Sequence, residues 1–262
     1  LDQQSLFKPV TKKTFTVKQS KKISQFISNA FKVAMSPRRG PVCVNLPRNI
    51  LAEKSFYKIN ETTKSFKKNY NIKAKATVIN KSINLINKSK KFVIIVGAGI
   101  KYNSSFKTVT KLAEYLNVPI VTAAGHGDAI PNDHKLNSGQ MGPRGNPVAT
   151  NLMKEADTIL ALGTRLGFNS TFYSYENINK KAKIIQVELE KKMIGKYFPV
   201  TIGILADASI VATQLLKALK QKKILSNTEE WTKKFINDRK KFLANRDKIK
   251  SNNNPIQPNA LF

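Results

Sequence analysis

Cysteine is almost absent from this chain. The single residue, Cys43, excludes an internal disulfide framework and makes the cytoplasm the expected compartment. It lies inside the apolar run "PVCVNLP", where a small buried side chain is the simplest role for it. Histidine is scarce as well. His126 and His134 share one loop with Asp128 and Asp133, but their spacing matches no familiar metal site, and no metal is expected there. No apolar run is long enough to span a bilayer, so no membrane partner is expected. Arginine is rare too: of 46 basic residues seven are arginines. The formal charge of +30 is therefore carried by lysine, spread over helix faces without interleaved aromatics. That pattern, with no recognised nucleic-acid motif, argues against nucleic acid as the partner and for a solvated lysine surface. The chain begins "LDQQSLFKPVTKK", without an initiator Met or a signal peptide, and reads like the middle of a longer protein.

What is present is an α/β pattern. Apolar residues at 23, 26, 27, 30, 31 and 34 have helical spacing, and Pro37, Gly40 and Pro41 stop that helix. A short buried strand, 42–46, follows. Residues 1–52 thus read as the tail of one α/β module. Residues 53–76, rich in Lys and Asn with little periodicity, read as a linker. A complete module is expected over 77–222. Its strands are 92–96, "VPIVTA", "TILALG", "KIIQVEL" and "VTIGIL". Its helices include "FKTVTKLAEYLN", one opened by Asn146-Pro147, and "DASIVATQLLKAL". Short, nearly continuous apolar strands alternating with helices predict a doubly wound parallel sheet, Rossmann-like, covered on both faces. The long loop between "VTA" and Asn146 shows neither helix nor strand pattern, and loops of that length usually bind something. Residues 223–262 read as a charged helix followed by a second linker.

Parallel sheets of this kind bind ligands at the carboxyl ends of their strands. Gly97 and Gly99 follow the first strand of the module, Thr122 ends the second, and Gly163-Thr164-Arg165 follow the third. Glu188 ends the fourth strand and Asp207 follows the fifth. Glycine lets a backbone approach a phosphate, arginine neutralises it, and a carboxylate at a strand end can take a ribose hydroxyl. Each has a plainer role as well: Asp207 is a ready N-cap, Glu188 a solvated carboxylate, and two glycines alone are weak evidence. The third glycine of the dinucleotide fingerprint is replaced by Tyr102. Together the five strand ends favour a nucleotide site. No catalytic residue is assigned.

The order of "GPVCVNLPRNIL", "VIIVGAGI", "HKLNSGQMGPRGN", "ADTILALGTRLG", "AKIIQVELE" and "IGKYFPVTIGILADA" resembles the thiamine-diphosphate-dependent family that includes acetolactate synthase, oxalyl-CoA decarboxylase and sulfoacetaldehyde acetyltransferase. The resemblance covers nearly the whole chain. It implies the end of an N-terminal pyrimidine-binding module and a whole central module, which binds FAD, an ADP moiety or nothing. It adds Met141 and Gly142 to the candidate cofactor contacts. Gly167, Phe168 and Asn169 stand where acetolactate synthases carry charged flavin contacts, which points away from full flavin. Ala206 replaces a glycine usual before the residue matching Asp207. The family's catalytic glutamate belongs upstream of Leu1, and its segment for Mg²⁺ and diphosphate lies downstream. The resemblance therefore implies a transferase or lyase acting on a small 2-oxo acid or aldehyde, working as a homodimer or homotetramer. This stretch of it would be inactive alone. The competing reading is a stand-alone nucleotide-binding module.

Overall fold

The fold is that of a computed structural model describing residues 1–36, 38–54, 72–103 and 106–246. Most of the linker expected over 53–76, and the Asn/Pro-rich end after 246, lie outside the described residues. The chain divides into two compact units, Leu1–Asn71 and Ile72–Phe262.

In the first unit, helix α1 (Gln3–Phe7) starts at Asp2, whose carboxylate accepts from the Ser5 amide at 3.0 Å. Strand β1 (Thr14–Thr16) pairs in parallel with β2 (Cys43–Asn45), and between them runs α2 (Ile23–Met35). The short helix α3 (Arg48–Ala52) follows. Strand β1 was not legible in the sequence, being three residues long and flanked by lysines. One of those lysines, Lys12, has a structural task. Its ammonium donates to the carbonyls of Val33 at 2.7 Å and Ser36 at 3.0 Å, satisfying the end of α2.

The second unit is built on a six-stranded, wholly parallel sheet. Helix α4 (Ala76–Asn87) leads into β3 (Phe92–Val96), and α5 (Phe106–Leu116) into β4 (Ile120–Thr122). Then come β5 (Asn137–Gln140), α6 (Pro147–Glu155), β6 (Thr158–Leu162), the one-turn α7 (Phe168–Thr171), β7 (Lys183–Glu188) and β8 (Ile202–Leu205). Helices α8 (Ala208–Gln221) and α9 (Glu229–Arg246) close the unit. The strand order is β5-β4-β3-β6-β7-β8. Every residue of β3 and β6 is buried, as strands covered on both faces require. Helices α4 and α5 pack on α8, and α6 packs on α9. Burying a side chain such as Phe92 or Ile95 contributes about 1.5–3 kcal/mol.

Two differences from the sequence reading have clear causes. The loop expected to lack strands contains β5, an edge strand of sequence "NSGQ". Its polar side chains are satisfied locally. The Asn137 amide group donates to the Pro131 carbonyl at 3.0 Å and its oxygen accepts from the Gly139 amide at 2.8 Å. The Ser138 hydroxyl donates to the Ile120 carbonyl at 2.7 Å. No apolar alternation is needed, so none is written in the sequence. The charged helix α9 in turn places Trp231 and Phe235 in the core of this unit, with the Trp231 indole donating to the Phe92 carbonyl at 3.2 Å. Long charged faces hid those two anchors.

Candidate functional site

Chain order along the sheet reverses between β3 and β6, and all six strands point the same way. The crevice for a ligand in such a sheet lies outside the carboxyl ends at this switch point. It is flanked by the two turns singled out from sequence, Gly97-Ala98-Gly99 after β3 and Gly163-Thr164-Arg165 after β6.

Those turns lock onto each other. The Gly97 amide donates to the Leu162 carbonyl at 3.1 Å, and the Gly99 amide to the Gly163 carbonyl at 3.0 Å. The Gly163 amide donates to Val187 at 3.0 Å. A Cβ on Gly99 would stand 2.6 Å from the Gly163 Cα, and one on Gly163 would stand 2.5 Å from the Gly99 Cα. Close approach of backbone to backbone therefore accounts for these glycines, and their amide hydrogens are already engaged. The chain after Gly97 continues as a 3₁₀ turn, Ala98–Asn103, before α5 begins.

The other candidates fall into distinct places. Thr122 is wholly buried at the end of β4, and its hydroxyl has no hydrogen-bond partner among the described residues. Met141 is a core residue whose amide donates to the Thr122 carbonyl at 2.9 Å. Gly142 sits against α7, where a Cβ would come within 2.6 Å of the Asn169 carbonyl. Buried Thr164 accepts from the Leu166 amide at 3.3 Å. Arg165 is exposed at the crevice and makes no hydrogen bond or ion pair with its side chain among the described residues. Glu188 lies half-buried at the end of β7, where its carbonyl accepts from the Ala206 amide at 3.1 Å. Asp207 is buried and caps α8, accepting from the amides of Ser209 at 2.9 Å and Ile210 at 3.2 Å.

The structure adds residues that sequence spacing did not connect. His126, in the turn after β4, lies within electrostatic reach of Lys101, Asp128 and Arg165. Its Nδ1 is buried without a hydrogen-bond partner. Burial first, then the two cations, hold its pKa below the usual 6.5 against the opposing pull of Asp128. Lys101 forms an ion pair with Asp128. His134 points elsewhere, with Nε2 3.1 Å from the Glu114 carboxylate, and no group of three metal-ligating side chains forms among the described residues. Side-chain bonds tie the turn in place. The Ala124 amide donates to the Ser170 hydroxyl at 2.9 Å and the Gly125 amide to the Gln140 side chain at 2.9 Å.

Beside Arg165 stands an aromatic cluster. Phe168 meets Phe172 edge-on at 4.9 Å, and Tyr173 stacks on Tyr197 at 4.4 Å and 24°. The hydrogen bond between the two phenols lowers the pKa of Tyr197 and raises that of Tyr173. Phe168, Phe172 and Tyr173 are each close to half exposed. Leu166, Phe172 and Tyr173 all adopt left-handed backbone, and such strain in non-glycine residues gathers at functional sites. The signal in sequence was the run "FYSY", whose aromatics fit neither a helical nor a strand period.

Residues 79–215 match the family described as thiamine pyrophosphate enzyme, central domain. Over 235 residues, 88% of the chain and 40% of that protein, it is 29% identical to the acetolactate synthase large subunit of Buchnera aphidicola subsp. Acyrthosiphon pisum. Over 222 residues, 84% of the chain and 37% of the relative, it is 30% identical to a probable acetolactate synthase large subunit of Methanocaldococcus jannaschii. It is 38% identical over 146 residues to the sulfoacetaldehyde acetyltransferase of Rhodobacter capsulatus, covering 55% of the chain and 25% of that enzyme. The chain thus spans 40% or less of the length of these curated relatives. Among the described residues no helix is long and apolar enough to cross a membrane.

Proposed function

This chain belongs to the thiamine pyrophosphate enzyme family through its central domain, and from that premise we propose that it is the middle portion of an acetolactate synthase-like enzyme. In this reading the whole protein decarboxylates or cleaves a small 2-oxo compound and transfers the resulting acyl or aldehyde unit. Residues 1–52 are then the end of the pyrimidine-binding module. Thiamine diphosphate and Mg²⁺ are held by parts of the protein outside the chain, in a homodimer or homotetramer. No group of three or more His, Cys, Asp or Glu side chains gathers among the described residues, and no chemical step is assigned to them.

The part of the reading that falls on this chain is the crevice between β3 and β6. We assign it an adenosine diphosphate moiety, with Arg165 against a phosphate and Glu188 toward the ribose. The observation that carries it is Arg165, exposed at the switch point of a parallel sheet beside a strained aromatic loop. A charge-assisted contact contributes about 1.5–3 kcal/mol, so Arg165→Ala should weaken ADP binding about tenfold or more.

Two measurements test the proposal. The complete coding sequence should continue into a Gly-Asp-Gly…Asn-Asn segment, and its product should release CO₂ from a 2-oxo acid with thiamine diphosphate and Mg²⁺. A reading frame without that segment would instead favour a stand-alone nucleotide-binding module. The purified chain should be colourless and should gain thermal stability from ADP by mass action. A yellow, flavin-bearing preparation would refute the preference for ADP. No shift with ADP, or an unweakened Arg165→Ala variant, would leave the crevice without a nucleotide.

A further inference from the structure

A groove between α6 and α9 lies far from the crevice at the strand ends. Trp231 on its floor donates to the carbonyl of Phe92, the first residue of β3, at 3.2 Å. That end of the groove therefore sits at the amino edge of the sheet. The groove encloses about 240 Å³, less than the roughly 300–1,000 Å³ of sites for drug-sized ligands. Each helix lines it with positions i, i+3, i+4 and i+7, a length of about 10 Å. It has room for one small molecule and none for another helix. The floor is apolar: Val148, Leu152, Trp231 and Phe235 are each less than a tenth exposed. The rim is polar. Lys234 reaches across it and donates to both Glu155 carboxylate oxygens, at 3.0 and 2.7 Å, so that pair is neutral. Asp238 and Asn151 complete the rim, and neither side chain has a hydrogen bond or ion pair among the described residues.

We propose that this groove binds a small amphipathic amine, its apolar body on Trp231, Phe235 and Leu152 and its ammonium on Asp238, with the Asn151 side-chain oxygen as a second acceptor. Charge selects the cation. Two carboxylates against one ammonium leave the groove one negative charge, in a chain with 46 basic residues against 16 acidic ones. The indole favours the same sign: the ammoniums of Lys91 and Lys234 already lie 5.6 and 5.8 Å from its ring. An anion would be set against the Asp238 carboxylate, and like charges in contact oppose binding. A neutral ligand would forgo the charge-assisted bond that Asp238 offers. The groove and the crevice at the carboxyl edge are separate sites, so this proposal stands or falls apart from the adenosine diphosphate reading.

The test is titration of the whole chain with benzylamine, benzyl alcohol and benzoate at about pH 7, where the same ring carries a positive, a neutral and a negative head. Trp231, the chain's single tryptophan, lines the groove and reports occupancy by its fluorescence. Benzylamine should bind about tenfold or more tightly than either companion, as a charge-assisted contact requires. Asp238→Asn should weaken benzylamine about tenfold and leave benzyl alcohol within about twofold. Lys234→Gln removes the competing ammonium and should tighten benzylamine about two- to fivefold, an effect opposite in sign that no loss of folding can imitate. The proposal is overturned if the alcohol binds as well as the amine, if benzoate binds more tightly, or if Asp238→Asn binds the amine as the parent does. Fluorescence unmoved by all of them up to about 10 mM, the weak end for ligands of this size, overturns it as well.

Discussion

Replacing single glycines by alanine separates the two demands that the turns at the sheet edge place on the backbone. At Gly167, the N-cap of α7, a Cβ meets nothing within 4 Å and φ is ordinary at −76°, so alanine there should cost only about 0.5–1 kcal/mol, the difference between the two residues as a cap. Gly125 also faces open space but has φ +80°, and alanine there should cost about 1–2 kcal/mol for the left-handed conformation alone. Gly99 has no positive φ, yet its new Cβ would stand 2.6 Å from the Gly163 Cα, a backbone atom that cannot swing aside. Overpacking of that kind costs about 1–3 kcal/mol. Gly163 combines both penalties, with φ +61° and a Cβ 2.5 Å from the Gly99 Cα, so about 2–5 kcal/mol is expected. Urea unfolding followed by the fluorescence of Trp231, the chain's single tryptophan, reads the second unit directly because that indole is buried in its core. The expected order of loss is Gly163, then Gly99 and Gly125, then Gly167. If Gly99→Ala unfolds at the parent's urea midpoint, the two turns are not interlocked and their amides are available to a ligand after all.

Two further outcomes follow from side-chain contacts to the backbone. The Asp157 carboxylate accepts from the amides of Lys90 and Lys91 at 2.9 Å each and from the Ser89 hydroxyl, so Asp157→Ala should cost about 1.5–3 kcal/mol in urea unfolding. Burial raises its pKa, but those hydrogen bonds outweigh it and hold the pKa below the ordinary 3.8. The stability it supplies is therefore complete above about pH 3.8 and lost as pH falls through the lowered value, so parent and variant should converge only in that acid range. Asn137→Val should destabilise the second unit by about 1–3 kcal/mol in the same assay, although valine is the better strand former, because three backbone groups lose their partner. A stabilised variant would mean that β5 is held by pairing alone.

Where periodicity writes an element, the chain could be read directly. Apolar residues three and four apart mark α2 over Ile23–Met35, and "FVIIV" between lysine and glycine marks β3. Asn146-Pro147 announces α6, and the Asn146 side chain accepts from the Val148 amide at 2.7 Å. Strand β5 escaped because its stability comes from hydrogen bonds to loop carbonyls, which leave no pattern in composition. The core role of α9 escaped because Trp231 and Phe235 are two apolar positions in a helix otherwise dominated by charge. The candidate site was half legible. Strand ends located Arg165, Thr122 and the glycines, since a parallel sheet brings all its carboxyl ends to one edge. Tertiary packing alone brings His126 within electrostatic reach of Lys101 and Arg165, or stacks Tyr173 on Tyr197 across twenty-four residues of sequence.

The Gly-Ala-Gly turn shows why such a motif underdetermines chemistry. A turn that presents amides to phosphate and a turn that wedges against its neighbour both demand residues without Cβ, so the letters are the same in either case. The difference lies in where the amide hydrogens go, and that is set by a second turn more than sixty residues away. In this chain Gly163 supplies the carbonyl that takes the Gly99 amide at 3.0 Å. Its own left-handed backbone brings the two turns within contact. With the amides of Gly97, Gly99 and Gly163 all engaged, the glycines that look like a phosphate turn have no hydrogen left to offer an anion.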